Sequence, residues 1–429
     1  MRAMALPFLR TMRSHSDLFR RLLPWHMDSL PTQPAHSADI GHPLEVGRVF
    51  LRLGLTSFGG PIAHVGYFHR EFVERRRWLD DEHFGQLLAL CQFLPGPASS
   101  QLGFSIGLLR AGWMGALAAF IAFTLPSALL MFAFAEWSSH LAGPWGESAI
   151  HGLKLVAVAV VAQGVLNMAR ALCPDWQRAL LALAAAAVCV FNTSSWTQLA
   201  VVVCGATLGL WVCRHVDGKP GEAFSLRYGA KTGRWLLLTY GLLLAVALAA
   251  TAALPLLVQV ACAFYRSGAL VFGGGHVVLP LLKQAVVDPG WVTPSTFLSG
   301  YGAAQAMPGP MFSLSAFLGQ QIYRGHAAWL GATVSVLAIF LPGLLLVSGA
   351  LPYWRVLASK AWAARMLAGV NAIVVGLLAA AFYNPVWTSA VHGGKDIAIA
   401  AVAFAGLTRA RWPALIAVAW CVGASLLLR

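Results

Sequence analysis

Long apolar runs without a charged residue recur along the 429 residues of the chain. A helix needs about 20 apolar residues to cross the hydrocarbon core of a bilayer, and the longest runs suffice. Five runs cover 113–135, 196–212, 235–265, 329–353 and 366–384. Two shorter runs, 179–191 and 397–407, have flanks that a crossing tolerates. The pattern predicts an all-α polytopic integral membrane protein.

The second half of the chain repeats the first. The Phe, Arg, Gly, Phe, Gly, Gly pattern of 50–60 recurs at 264–274 with one fixed offset. After a one-residue slip, the Trp, Phe, Gln and Pro-Gly-Pro positions of 78–97 recur at 291–310. Two homologous halves follow from this self-similarity. The predicted divisions are a basic tail 1–43, a first repeat 44–213, a polar cytoplasmic linker 214–234, an extra membrane segment 235–257 and a second repeat 258–429.

The basic loops change sides between the two halves. The loop 69–77 carries four arginines, whereas its counterpart 283–294 has one Lys and one Asp. The loop 136–147 has no Lys or Arg, whereas its counterpart 353–365 carries three. Since basic loops stay in the cytoplasm, the halves should have opposite orientations. We therefore predict an inverted-topology repeat, with the extra segment as the crossing that inverts the second half.

Composition supports a membrane protein and gives no sign of an enzyme. The chain is 58% hydrophobic and 11% charged, whereas a soluble domain carries about 25% charged residues. The net charge of +14 is explained by basic loops that orient the chain, so no nucleic acid is expected as a partner. The seven cysteines form no CxxC pair, and neither a GxxxxGKS loop nor HExxH occurs. We predict no metal, no cofactor and no catalytic residue.

The first recurring motif is a run of glycines at 59–60 and 273–275. Consecutive glycines break a helix and bare its backbone. At membrane depth, bare backbone persists only where it is buried in protein or lines a cavity. The alternative, close packing of two helices, stays open. The candidate binding residues of this motif are Gly59, Gly60, Gly273, Gly274, Gly275 and His276.

The second recurring motif is Pro-Gly-Pro at 95–97 and 308–310, each with a Gln three residues before it. Two prolines around a glycine cannot continue a regular helix, so we predict broken or re-entrant helices here. Hydroxyl donors beside a half-helix N-terminus suit a tetrahedral oxyanion, and a purely structural kink is the alternative. The candidate binding residues are Gln92, Pro95, Gly96, Pro97, Ser99, Ser100, Gln305, Pro308, Gly309 and Pro310.

Three cations lie in apolar surroundings. Arg52 and Arg266 occupy equivalent positions of the two repeats, and Lys154 lies near the start of another apolar stretch. An intramembrane cation is costly and marks a functional site by default, so we expect all three to bind the substrate. Snorkelling to the interface is the alternative for each. His64, His69, His83 and His276 are candidates for a proton relay. For any single one of them we expect a structural or loop role.

Together these strings resemble the chromate ion transporter family in its long two-domain form. They are LGLTSFGGP at 53–61, RWL at 77–79 and QFLPGP at 92–97, with FGGGH at 272–276 and QAMPGP at 305–310 in the second half. The resemblance covers about position 43 to the C-terminus. The basic tail departs from the family pattern.

The resemblance implies a multi-pass protein of the bacterial inner membrane. It implies a secondary transporter that exports chromate and so confers resistance, driven by the membrane potential or a proton gradient. A transporter of sulfate or another dianion is the alternative, and an anion channel is a further one. The expected partners are the oxyanion and the lipid bilayer, with a homodimer left open.

Overall fold

The computed structural model describes most of the chain after the basic tail. The described residues are 41–58, 60–138, 143–192, 195–216, 224, 226–251, 253–272, 278–325, 327–410 and 412–428. The predicted tail 1–43 therefore lies almost wholly outside the described residues. Residues 41–429 group as one compact unit, separate from 1–40.

Helices alone make up the regular structure of the described residues, as the apolar runs predict. In the first repeat they are α1 (Pro43–Thr56), α2 (Gly60–His69), α3 (Asp81–Phe93), α4 (Ala98–Ser138), α5 (Pro144–Leu172), α6 (Trp176–Phe191) and α7 (Ser195–Val212). A π-helical turn, Arg70–Arg75, extends α2.

The rest of the chain adds a helix without a first-repeat counterpart and then a second series. They are α8 (Ala230–Ala249), α9 (Leu256–Ala269), α10 (Val278–Val286), α11 (Pro294–Ala306), α12 (Leu314–Ile322), α13 (Ala328–Ala350), α14 (Ala361–Ala381), α15 (Gly394–Thr408) and α16 (Ala414–Leu427). The apolar run 235–265 thus forms two helices rather than one. Pro255 caps the second of them with an extended backbone, because proline cannot continue a helix.

Five helical stretches of the described residues are long and apolar enough to cross a membrane. They are Ala98–Ser138, Trp145–Leu172, Ala230–Ala249, Ala328–Ala358 and Ala361–Ala390. Large apolar side chains remain exposed along α8, which is the expected surface of a helix that faces lipid. On this helix they are Trp235, Leu238, Leu242 and Val246. The chain is therefore a multi-pass membrane protein.

Counterpart residues cap the N-termini of equivalent helices in the two repeats. Asp80 caps α3 by accepting from the His83 N–H at 2.7 Å, and its counterpart Thr293 caps α11 by accepting from the Thr296 N–H at 3.1 Å. Such caps satisfy N–H groups that a helix start leaves unpaired. The two repeats are therefore equivalent in structure even at capping positions where their residues differ.

The chain reverses its direction sharply one helical segment after each Pro-Gly-Pro motif. In α4 the backbone leaves helical geometry at Ala111 and Gly112. Gly107 then lies so close to Gly115 that a Cβ on Gly107 would come within 2.5 Å of the Gly115 carbonyl oxygen. Gly319 lies against the Gly331 carbonyl in the second repeat. Small residues permit this close approach of two helical segments.

Candidate functional site

Each Pro-Gly-Pro segment lies between two helices. In the first repeat α3 ends at Phe93 and α4 begins at Ala98. In the second, α11 ends at Ala306 and a 3-10 turn at Met311–Ser313 precedes α12. The central residues, Gly96 and Gly309, have φ angles of +133° and +92°. Side chains disfavour this backbone region, so glycine is required at both.

Each Pro-Gly-Pro segment is hydrogen-bonded to the opposite repeat. The Gly96 N–H donates to the Val271 carbonyl at 2.7 Å, and the Gly309 N–H donates to the Ser57 carbonyl at 2.9 Å. Ser57 and Val271 are themselves counterparts, since each directly precedes the matched Phe of the glycine motif. The two bonds are therefore the same contact made in both directions, as a two-fold relation requires. We call this pair of contacts the crossing.

Close packing at the crossing is reciprocal as well. A Cβ on Gly96 would lie 3.0 Å from the Gly343 Cα, and one on Gly309 would lie 3.1 Å from the Ser127 Cβ. Ser127 and Gly343 each follow a proline inside a long helix. They are also counterparts, at the same offset as the matched tryptophans. Four interrupted segments, two from each repeat, thus meet at one place.

Several polar side chains near the crossing are buried and have no hydrogen-bond partner among the described residues. They are the hydroxyl oxygens of Ser57, Ser100, Thr124 and Ser315 and the Oε1 of Gln101. The Nε2 of Gln101 donates to the carbonyls of Pro95 at 3.0 Å and Gly343 at 3.1 Å, which leaves its Oε1 as the unpaired atom. Buried polar groups are nearly always paired, so unpaired hydroxyls here indicate a place for a polar ligand.

His64 lies at the same point, where it shares the Ser57 carbonyl with Gly309 of the second repeat. Its Nε2 is 3.3 Å from the Ser57 carbonyl, which also accepts from the Gly309 N–H. Its Nδ1 is 3.5 Å from the Ser99 hydroxyl in the first turn of α4. The ring packs edge-on against Phe123 and is fully buried. The structure thus places His64 in the core of the molecule, not in a loop.

The predicted site residues divide into three groups. The structure brings together Pro95, Gly96, Pro97, Ser99, Ser100, Pro308, Gly309 and Pro310. Gly60 begins α2, and a Cβ placed on it would meet nothing within 4 Å. Gln305 is also buried, but its Nε2 donates to the Met311 sulfur at 3.0 Å. Gly59, Gly273, Gly274, Gly275 and His276 lie outside the described residues.

The remaining predicted residues are placed elsewhere. Gln92 is exposed, and so is Arg52, on the side of α1 opposite its buried face. Arg266 and Lys154 are partly buried, and neither has an ion-pair or hydrogen-bond partner for its side chain within the described ranges. A role for these four in binding stays a prediction, and the position of Arg52 does not favour it.

A cavity of about 550 Å³ lies beside the first repeat's interrupted helix. One face of α3, from Glu82 and Gln86 down to Phe93, lines it, so the cavity extends along the helix that ends at Pro-Gly-Pro. Trp354 closes one side by donating to the Gln86 Oε1 at 3.0 Å. Asn371 contributes a buried Oδ1 without a partner.

A second cavity, of about 600 Å³, lies beside the counterpart helix α11. Ser295, Ser299 and Ile150 line it, and they are the repeat counterparts of Glu82, Gln86 and Leu367 in the first cavity. Its other wall is a chain of hydrogen bonds. They run from Arg324 Nη2 to Gln321 Oε1, from Gln321 Nε2 to Gln320 Oε1 and from Gln320 Nε2 to Glu136 Oε1, at 2.9, 3.0 and 2.8 Å.

Sequence reasoning missed Ser57, Thr124 and Ser127. A signal for Ser57 is present, because it directly precedes the glycine motif. Ser127 follows Pro126, and a proline inside an apolar run is a further sign of an interrupted helix. No comparable signal points to Thr124, since a threonine in an apolar run commonly bonds to its own helix.

Comparison with known proteins agrees with the division into two repeats. The family model for the chromate transporter matches residues 44–210 and again 258–426. A probable chromate transport protein of Synechococcus elongatus is 31% identical over 82% of this chain and 85% of its own length. A chromate transport protein of Cupriavidus metallidurans is 28% identical over 83% and 86%, and one of Pseudomonas aeruginosa is 26% identical over 68% and 69%. No solved structure matches the chain. Two consecutive matches to one family model, which together span most of the sequence, establish that the chain belongs to the chromate transporter family.

Proposed function

We propose that this protein is a secondary transporter that exports chromate across the bacterial inner membrane and so confers chromate resistance. The observation that carries the proposal is the crossing, where two interrupted helices meet two others around buried hydroxyls that have no partner in the described part of the chain. Interrupted helices at the interface of two repeats are where secondary transporters bind their substrates. The names of the relatives supply chromate as the first substrate to test.

The two repeats are proposed to have opposite orientations in the membrane. The reciprocal bonds Gly96 to Val271 and Gly309 to Ser57 support a two-fold relation between the repeats. The basic loops change sides between them, which favours an axis in the plane of the membrane. The extra helix α8 supplies the additional membrane-spanning segment that this arrangement needs.

The chemistry of the crossing suits a tetrahedral oxyanion. Serine and threonine hydroxyls can each donate to an anionic oxygen. The start of α4 adds the positive end of a helix dipole. Among the described residues, the hydrogen bonds and ion pairs of the crossing include no carboxylate, the group that would repel an anion. Lys154 and Arg266 are half-buried and have no ion-pair partner among the residues that the structure describes, and they are proposed to add positive charge.

The membrane potential explains why such a carrier would export. One elementary charge gains about 2.3 kcal/mol per 100 mV, so a dianion that leaves a cell with a negative interior gains about 4.6 kcal/mol. The two cavities beside α3 and α11 are proposed as the access routes from the two sides. In this conformation the first cavity extends to Phe93, next to the first Pro-Gly-Pro break.

Sulfate or another dianion is the alternative substrate, because hydroxyl donors recognise a tetrahedral oxyanion without identifying its central atom. An anion channel is the alternative of a different class. A carrier binds its substrate in each cycle and saturates, whereas flux through a channel does not saturate over the same range. The two classes therefore differ in the concentration dependence of their flux.

The test is chromate uptake into everted membrane vesicles from cells that express the chain. We expect saturable, energy-dependent uptake above an empty-vector control, with inhibition by excess sulfate. No uptake, with the protein present in the membrane, would contradict the proposed substrate. Uptake that rises linearly without saturation would favour a channel.

A matched pair of serine variants tests the site. Ser100→Ala removes a buried hydroxyl without a partner, and we expect chromate uptake to fall at least tenfold. Ser348→Ala removes a buried hydroxyl that bonds only to its own helix, at the Leu344 carbonyl, and should leave uptake within twofold of the wild type. Equal uptake by the two variants would contradict a role of the crossing in substrate binding.

A further inference from the structure

The crossing is symmetric in its backbone contacts and asymmetric in its side chains. In the contact at Gly309 the surrounding side chains are Ser57, His64, Ser99 and Ser127. Their counterparts in the contact at Gly96 are Val271, Val278, Phe312 and Gly343. Three of these four are fully or almost fully buried apolar side chains. Gln101 is the polar side chain beside Gly96, whereas the contact at Gly309 gathers a histidine and three serines.

The hydrogen bonds of His64 fix its resting tautomer. A carbonyl oxygen can only accept, so Nε2 must carry a proton to bond to the Ser57 carbonyl at 3.3 Å. In the neutral ring Nδ1 is then the acceptor, and the Ser99 hydroxyl donates to it. The donor of Ser99 is thus used by His64 while the ring is neutral.

We propose that His64 takes up the proton that accompanies oxyanion binding at the crossing. This inference rests on the proposed function and names how the site is regulated. A proton from water bonds to the lone pair of Nδ1, and the ring becomes a cation that donates from both nitrogens. The Ser99 oxygen then accepts from Nδ1–H, and its own O–H turns away from the ring to donate to the bound oxyanion.

The surroundings of His64 make the two events depend on each other. From α1 the Ser57 carbonyl faces the ring, from the first turn of α4 the Ser99 hydroxyl, and from farther along α4 the Phe123 ring. No titratable or charged side chain of the described residues pairs with it. A buried imidazolium without a counter-ion is costly, so the ring stays neutral until an anion arrives.

Linkage then fixes the sign of the pH effect. If binding an anion takes up one proton, the affinity for the anion rises as the pH falls, by at most tenfold per pH unit. By reciprocity, the bound anion favours protonation of His64 to the same extent. The pair carries one net negative charge instead of two, so a negative interior still favours its export.

The test is calorimetric titration of the purified full-length protein with chromate and with sulfate, in buffers of different ionisation enthalpy. The dependence of the heat on the buffer gives the number of protons taken up per anion. For the wild type we expect up to one proton per anion, and an affinity that rises as the pH falls. For His64→Gln we expect no proton uptake and an affinity independent of pH.

The control is His83→Gln, which replaces an exposed histidine beside Asp80 at the start of α3 and should behave as the wild type. Undiminished proton uptake in His64→Gln would overturn the inference. If His64→Gln does not fold, Ser99→Ala tests the same step. Without the hydroxyl, we expect proton uptake close to zero, and wild-type uptake in that variant would also overturn the inference.

The titration also separates the inference from the proposed substrate. Proton-linked binding of sulfate alone, lost in His64→Gln, would support the role of His64 and contradict chromate as the substrate. Chromate binding without proton uptake by the wild type would support chromate as the substrate and contradict the role of His64. Binding of neither anion would contradict both.

Discussion

Gly309 and Gly290 share the left-handed backbone region but differ in what surrounds them. Their φ angles are +92° and +78°. A Cβ on Gly309 would lie 2.9 Å from the Ser127 Oγ and 3.3 Å from the Phe123 carbonyl oxygen, whereas one on Gly290 would meet nothing within 4 Å. Gly290→Ala should therefore cost only backbone strain of about 1–2 kcal/mol, and it should leave chromate uptake near the wild-type level.

For Gly309→Ala we expect the same strain plus a forced separation of the two repeats at the crossing. Uptake in everted vesicles should be lost, and the unfolding temperature of the purified protein should fall further than for Gly290→Ala. Similar behaviour of the two variants would mean that close packing at Gly309 is not required.

At the residue scale, the position of a side chain in the structure could be predicted where a neighbouring sequence motif indicated its surroundings. Ser99 and Ser100 follow Pro-Gly-Pro after a single alanine, and the structure places both at the crossing. Arg52 shows the limit of that reasoning. The buried positions Val46, Val49, Phe50 and Leu53 follow helical spacing and leave position 52 on the opposite side. The helical spacing of the apolar residues indicates an exposed side chain at position 52, whereas the duplicated position of the arginine says nothing about its exposure.

At the scale of elements, the π-helical turn after α2 is held by charged side chains outside the membrane-spanning segments. Glu71 accepts from Arg76 Nε at 2.6 Å and from Arg75 Nη1 at 3.1 Å. Arg76 also lies 3.6 Å from Glu45 on α1. Burial alone would raise the pKa of Glu71, but the hydrogen bonds and charges of Arg76 and Arg75 outweigh burial and hold that pKa below its usual range.

Glu71→Gln should therefore destabilise the protein in a pH-dependent way. Because the pKa is lowered on folding, the carboxylate stabilises the folded state fully above its unfolded pKa of about 4.3, and this stabilisation is lost as the pH falls through the folded pKa. We expect a loss of about 1–2 kcal/mol near pH 7 that shrinks below about pH 4. Unfolding temperatures measured across this pH range check the expectation.

The control for this element is Glu74→Gln. The Glu74 side chain is 60% exposed and lies 3.3 Å from the His69 Nδ1, so its replacement should change the unfolding temperature little. A loss for Glu71→Gln that does not depend on pH would point to packing rather than to charge.

The helices themselves could be predicted from apolar runs, but their interruptions only in part. Proline and glycine motifs identified the breaks at 95–97 and 308–310. The reversal at Ala111 and Gly112 was not predicted, because one glycine in an apolar run commonly serves helix packing. The reversal brings Gly107 against Gly115, a contact that small residues permit and that depends on how two segments pack.

At the scale of the whole molecule, the sequence revealed the duplication but not the contact between its copies. Matched motifs established two similar halves, which the family model also matches separately. That Gly96 of one copy bonds to Val271 of the other is a long-range contact, and no local pattern encodes it. The asymmetry around His64 becomes visible only when the two contacts are superposed as equivalents.

The relative orientation of the two repeats leads to the last prediction. Arg75 and Asp288 are counterparts, and both are exposed. If the repeats are inverted, Arg75 lies in the cytoplasm and Asp288 on the opposite side. We therefore expect Asp288→Cys, in a background without the seven native cysteines, to react with an impermeant maleimide added to intact cells. Arg75→Cys should react only in everted vesicles.

Chromate resistance of cells that express the cysteine variants confirms that both retain the native arrangement. Labelling of both positions from the same side would contradict the inverted repeat. The reciprocal hydrogen bonds would then have to arise from an axis perpendicular to the membrane, which relates parallel repeats. In that case the two cavities beside α3 and α11 would open on one side, and alternating access between them could not explain transport.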